Sequence, residues 1–265
     1  MNNLYESIFL RKSTRKYSLE NLDHQTIREI KKYLLNVETL FDTNLQTYLV
    51  SKTDIYSMLD GYIGSIGKIE APYYLILSNE DSKEGYLDVG YGGEQIVLEL
   101  TKRQLATCWI GANFSGLEIK KHFNINQSII SLISVGKASD YSPFRDKESI
   151  KRKDVSDILI KDLIDDNYLP IVEAIRVAPS AVNNQPWRVL VEKDSISLYM
   201  AKANLIKRFM LKNLNYVDMG IATKHLKIAL DNFGYTYSWG KNTQKDIKDL
   251  EYIITAKIKG VKENE

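Results

Sequence analysis

Two short stretches of the chain gather residue types that can do chemistry. The first is "RKSTRKY", residues 11–17, with Arg11, Lys12, Arg15 and Lys16 around a serine and a threonine. Alternate side chains of an extended segment share a face, which would bring Arg11, Ser13 and Arg15 together. Two forked guanidiniums and a hydroxyl suit a phosphate. A solvated basic loop has the same composition and is the commoner outcome for a basic cluster read alone. The second stretch is "APSAVNNQPW", residues 178–187. Pro179 stops the preceding helix and restricts Ala178, and Ser180, Asn183, Asn184 and Gln185 follow in one turn. Such a turn can read the polar edge of a planar ligand. It can equally spend its amides on its own backbone while Trp187 anchors the next strand.

Other candidates are weaker. "TCWIG" ends on Gly111, where a missing Cβ admits close backbone approach, though most strand-end glycines only turn the chain. Cys108 reads as a small buried apolar residue rather than a nucleophile. His24, His122 and His225 lack metal-ligand spacing, so no metal site is expected. The sequence contains no GxGxxG, P-loop or GxSxG motif.

The elements that must position these residues follow from pattern. The chain has 265 residues, 44% of them apolar, enough for one large or two smaller cores. A formal charge of +2 argues against general nucleic-acid or membrane-surface binding. With one cysteine there is no internal disulfide, and a cytoplasmic, soluble protein is expected. Residues 4–10 form a short amphipathic helix, and Asp23 caps a second. "NLQTYLVS", "PYYLILS", "ATCWI" and "SIISLISVG" read as strands, with a helix at 92–105. A polar, charged connection is expected at 141–166. It divides a first half, 1–140, from a second, 167–265. In the second half, 169–177 is helical and "WRVLVEKDSISLYMA" is a hairpin turning near Lys193 and Asp194. A helix ended by Gly234 precedes the strands "YTYSWG" and "LEYIITAKI".

The two halves repeat. "DVGYGGEQIVLELTKRQLATCWIG" and "DMGIATKHLKIALDNFGYTYSWG" both read as a helix opened by Asp-x-Gly that runs into a strand ending in Trp. Asp88, Gly90, Leu100 and Trp109 match Asp218, Gly220, Leu230 and Trp239 at one constant shift (218 − 88 = 239 − 109). Generic amphipathic helices feeding core strands would be the bland account of the same pattern.

"RKSTRKY" resembles the Arg-Arg-Ser-x-Arg-x-Phe/Tyr opening of the FMN-dependent nitroreductase family. "APSAVNNQPW" resembles its Ala-Pro-Ser-x-x-Asn-x-Gln-Pro-Trp turn, and "LATCWIG" is similar to its Leu-Gly-Thr-x-Trp-Ile-Gly strand. "SVGKAS…KRKDVSDIL" resembles its Gly-Tyr-Pro region with the basic pair that follows. The order differs from ordinary members. Their Pro-Ser-Asn turn comes early, whereas here that place holds "LLNVETLFDTNLQTYLV". Ordinary members are homodimers with two FMN sites, each built from both subunits. The resemblance is to the branch called putative TM nitroreductase, and it implies a fused pair in which one site survives. The implied fold is α+β, nitroreductase-like, with two similar halves forming an intrachain pseudo-dimer that acts as a monomer.

The resemblance also implies roles. Arg11, Lys12, Ser13 and Arg15 would hold the FMN phosphate and ribityl chain, with Arg152 and Lys153 adding charge. Ile110 and Gly111 would lie against the ring. Pro179, Ser180, Ala181 and Asn183 would line the flavin from the second half. No side chain is expected to act as acid or base, because flavin supplies the redox chemistry. The implied activity is ping-pong hydride transfer from NAD(P)H through flavin N5 to a small electron-poor acceptor, a nitroaromatic or a quinone. The alternatives are a flavin-binding or storage protein without turnover, or another flavin chemistry on the same fold.

Overall fold

Short, largely buried apolar runs form the strands, and the strands assemble into two four-stranded antiparallel sheets in two separate units, Met1–Ser149 and Ile150–Glu265. The computed structural model describes all residues except 1–2, 60–61, 64–65, 68, 113, 140–143, 146–149, 164, 203–204, 241–246 and 262–265, together with the side chains of 62–63, 66–67 and 205–212. Parts of the expected connection, at 141–143, 146–149 and 164, lie outside the described residues.

In the first unit, α1 (Leu4–Leu10) is capped by Asn3, whose side chain accepts from Glu6 N at 2.9 Å. Asp23 caps α2 (His24–Leu34) by accepting from Thr26 N at 2.8 Å. Strand β1 (Gln46–Ser51) leads through α3 (Lys52–Ile55) and the short ribbon β2 (Tyr62–Ile63) and β3 (Ile66–Gly67) to β4 (Tyr73–Asn79). Helix α4 (Lys83–Lys102), strand β5 (Ala106–Ile110), helix α5 (Gly116–His122) and strand β6 (Ser128–Gly136) complete it, in sheet order β1-β4-β6-β5. The core is apolar: Tyr74, Ile76, Leu132 and Ile55 are fully buried.

In the second unit, α6 (Val155–Ile158) and α7 (Leu169–Arg176) precede β7 (Trp187–Glu192) and β8 (Ser195–Ala201). The turn between these strands is Lys193–Asp194, as the hairpin pattern predicts. Helix α8 (Leu205–Asn232), β9 (Tyr235–Gly240) and β10 (Leu250–Val261) follow, in sheet order β7-β8-β10-β9. Gly234, at φ 73°, takes the left-handed position after α8 that a residue without Cβ accepts most readily.

Numbered by rank, both sheets run first-second-fourth-third, and both place the long helix between the second and third strands. The registers agree as well. Gln46 pairs with Ser78 and Ser51 with Tyr73; Trp187 pairs with Met200 and Glu192 with Ser195. The repeat is therefore present in the fold.

One expectation changes. The long helices do not open at Asp-x-Gly. Helix α4 begins a turn or more earlier, where Ser82 caps it by accepting from Gly85 N at 3.0 Å, and it ends at Lys102 rather than 105. The glycines lie inside α4 because neighbours crowd it there. A Cβ on Gly93 would lie 2.3 Å from the Trp109 ring, and one on Gly92 would lie 2.5 Å from Leu45. Helix α5 has no counterpart in the sequence reading. Its seven residues include Leu117, which is largely exposed and breaks the amphipathic pattern.

Candidate functional site

The basic stretch of the first unit lies along the edge strand β5. Ser13 bridges Thr107 in parallel, and Thr14 N donates to Thr107 O at 2.9 Å. An extended segment thus covers an edge that would otherwise present unpaired backbone groups. Its far end is tied down by Tyr17, whose hydroxyl is 2.8 Å from Ser134 Oγ, while Ser18 N donates to Lys137 O at 2.9 Å. On the other side Arg11 bridges Phe144, and Arg145 N donates to Leu10 O at 2.7 Å.

This backbone path sets the side chains. Arg11 is only 2% exposed, although it carries a full positive charge. Its Nη2 donates to Ser13 Oγ at a long 3.4 Å, and its Nη1 is buried with no hydrogen-bond partner among the described residues. The Oγ1 of buried Thr14 is also without a partner. Lys12 and Ser13 are half-buried, and Arg15 is exposed. Burial pushes the Cys108 thiol up, while Arg15, Arg11 and a Ser13 hydrogen bond pull it back, so both guanidiniums act on this part of β5. Cys108 itself is buried and free, as expected. Ile110, at the end of β5, is buried; its carbonyl accepts from Ser131 Oγ at 3.0 Å, and half-buried Gly111 follows. A buried cation with spare donors is costly unless an anion completes it.

The turn of the second unit follows α7, whose last residues are capped by Val177 N and Ala178 N. Pro179 is buried, and Ser180 and Ala181 are half-buried. Ser180 Oγ accepts from Gln185 N at 2.9 Å, closing the turn across five residues. Val182, Asn183 and Gln185 have φ of 47°, 56° and 50°. For a β-branched residue such as Val182 that conformation is strained, and Val182 is 79% exposed.

Three side chains hold the strained turn. Arg152 donates from Nε to Ala178 O at 3.1 Å and from Nη1 to Asn183 Oδ1 at 2.9 Å. Lys153 N donates to Gln185 Oε1 at 2.8 Å, and its Nζ reaches Gln185 O at 3.3 Å. Burial is the main cause that lowers the Lys153 ammonium pKa, with Arg188 adding to it. Asp218, inside α8, accepts from Ala181 N at 2.9 Å. The sequence reading named Arg152 and Lys153 only as charges. The structure sets both against the turn.

Asp218 and Thr14 were not singled out as site residues by sequence. Asp218 served only as a repeat marker, because its contact with Ala181 spans 37 residues. No cluster of three metal-ligating side chains occurs among the described residues. No helix among them is long and apolar enough to cross a membrane.

Against known proteins, the chain's structure is similar to that of a putative nitroreductase from Thermotoga maritima, with TM-score 0.67 and 20% identity, covering 97% of this chain and 94% of that one. Looser matches cover about half of this chain. One is a nitroreductase family protein from Clostridium novyi NT (23% identity, 55% of this chain and 89% of that one, TM-score 0.45). Another is the FMN-dependent nitroreductase NfnB from Mycobacterium smegmatis, in complex with NADPH (13% identity, 61% and 98%, TM-score 0.48). No curated protein matches the chain. The family model described as "Putative TM nitroreductase" matches residues 3–230, and the chain belongs to that family.

Proposed function

We propose that the protein is an FMN-dependent oxidoreductase of nitroreductase type. The observation that carries this reading is Arg11: a buried guanidinium with an unspent donor and no carboxylate partner among the described residues. That donor set fits a phosphate, which offers several strong acceptors and the missing charge. Membership of a nitroreductase family supports FMN as the bearer of that phosphate.

In this reading Arg11, Lys12, Ser13 and Arg15 hold the phosphate and ribityl chain, and Ile110 and Gly111 support the ring. Pro179, Ser180, Ala181 and Asn183 present the second unit's turn to the flavin. Arg152 and Lys153 brace that turn and bring positive charge to it. When bound, FMN supplies the hydride-transfer chemistry. The chain's own work is to neutralise the phosphate and hold the ring still. NAD(P)H is the proposed donor, with a small nitroaromatic or quinone as acceptor, in the cytoplasm.

The test is anaerobic mixing of the FMN-loaded protein with NADH or NADPH. Bleaching of the yellow chromophore within seconds, and recovery on adding a quinone, is the expected result. Colour that persists would leave a flavin-binding protein without turnover.

A further inference from the structure

Asp88 and Asp218 stand at matched positions of the two long helices, and both are buried, at 0% and 3% exposure. Each receives a backbone N–H from the loop before its own sheet, at Leu40 and Ala181 respectively. These two donors lie equally far ahead of the first strand (46 − 40 = 187 − 181). From there the two sites diverge.

Asp88 is fully served. Its Oδ1 accepts from Leu40 N at 2.6 Å and Phe41 N at 2.9 Å. Its Oδ2 accepts from Thr43 N at 3.0 Å and Thr43 Oγ1 at 2.7 Å. That is how this fold satisfies a buried carboxyl group: four donors close the loop on it. Asp218 has one donor among the described residues, Ala181 N. Its Oδ2 is buried and has no partner among the described residues. Asn184 stands where the first unit has Thr43, but its side-chain amide donates to Asn215 Oδ1 at 3.0 Å instead, and its backbone N–H goes to Ala181 O.

We propose that Asp218 is the positioning residue of the Ser180–Gln185 turn and that it works as a neutral carboxylic acid, with Oδ1 holding the Ala181 amide and the proton resting on Oδ2. A lone amide is too little to support a buried negative charge, whereas a neutral acid costs far less to bury, even with its O–H unpaired among the described residues, and still fixes the turn through Oδ1. Burial pushes the Asp218 carboxyl up to about 8, with only the Ala181 hydrogen bond pulling it down, which agrees with the geometry. In the first unit Asp88 locks the loop through four bonds. In the second unit Asp218 gives the turn one bond, at its Ala181 end, while Arg152, Lys153 and Ser180 hold the rest. The functional weight of this inference rests on the flavin-facing reading of the turn.

Three measurements on the full-length protein test it. Infrared difference spectra between parent and Asp218→Asn at mildly acidic pH should show the carbonyl band of a protonated carboxyl in the parent and its loss in the variant. Amide hydrogen exchange without flavin should be about fivefold to tenfold faster across 180–185 in Asp218→Ala, as expected for losing one hydrogen bond, with Asp218→Asn restoring the parent rate. FMN, titrated into flavin-free protein, should bind more weakly by a similar factor in Asp218→Ala and regain affinity in Asp218→Asn. No protonated band, or an Asn variant as impaired as the Ala variant, would overturn the neutral acid. Unchanged exchange in Asp218→Ala would overturn the positioning role. If the parent itself takes up no FMN, the flavin reading falls, while the first two measurements still decide the role of Asp218. Should Asp218→Ala fail to fold, the Asn variant and its infrared band decide the question.

Discussion

Arg11 Nη2 lies 3.4 Å from Ser13 Oγ, and among the described residues that long contact is the only hydrogen bond from the side chain of an arginine that is 2% exposed. The arginine is held by its surroundings rather than by a counter-ion, since its backbone is fixed by Ser7 O on one side and by the Phe144 bridge on the other. Replacing it with a methionine of similar length removes a buried charge that nothing described in the chain neutralises. Flavin-free Arg11→Met should therefore be as stable as the parent, or more stable by about 1 kcal/mol, in urea unfolding. Its FMN affinity should fall about tenfold or more, because a charge-assisted contact is lost. Loss of stability together with unchanged affinity would mean that Arg11 serves the fold alone.

Asp218 gives the protein a pH dependence of definite sign. Its folded pKa, about 8, lies above the ordinary 3.8. Between those values the native state keeps a proton that the unfolded chain has released, so this group's contribution to stability falls as pH rises. That contribution is complete below about pH 4 and gone above about pH 8. Urea midpoints measured from about pH 5 to about pH 8 should decline in the parent, with a flatter slope in Asp218→Asn. Identical slopes would contradict the assignment.

The turn stores strain at one exposed position. Val182 sits at φ 47° with its side chain 79% in solvent, so replacing it loses little packing. Asn tolerates the left-handed region far better than a β-branched residue. Val182→Asn should raise the stability of the second unit by about 1 kcal/mol, read as a higher urea midpoint.

Close packing inside the first unit sets another limit. A Cβ at Gly93 would come within 2.3 Å of the Trp109 ring and 2.9 Å of Leu77. Trp109 cannot turn aside freely, because its Nε1 donates to buried Glu94 Oε2 at 2.9 Å. Gly93→Ala should cost about 1–3 kcal/mol, measured by thermal or urea unfolding.

Much of this architecture was legible in the sequence, for physical reasons that differ by element. Strands β1, β4, β6, β7 and β8 announce themselves by apolar runs bounded by turn residues, and Lys193–Asp194 by interrupting one such run. Caps at Asp23 and Gly234 act through local hydrogen bonds and backbone angle, which sequence records directly. The starts of α4 and α8 were misplaced because buried glycines and aspartates look like a helix boundary when their partners are unseen. Gly93 is explained by Trp109 and Asp88 by Leu40, Phe41 and Thr43, all distant in the chain. The site divides in the same way. Arg11 and Ser180 could be named from motif, but the spare donor of Arg11 and the one bond on Asp218 among the described residues are matters of burial and long-range contact. Arg152 was legible as a charge and not as the brace of Asn183.

The role proposed for buried Arg11 is to receive the phosphate of FMN. The most direct measurement is to load parent and Arg11→Met with FMN, remove free flavin by gel filtration, and record the visible spectrum against protein concentration. The expected result is a yellow parent retaining one flavin per chain and a folded variant that emerges nearly colourless. Equal flavin retained by both proteins, or a parent that holds none, would contradict it.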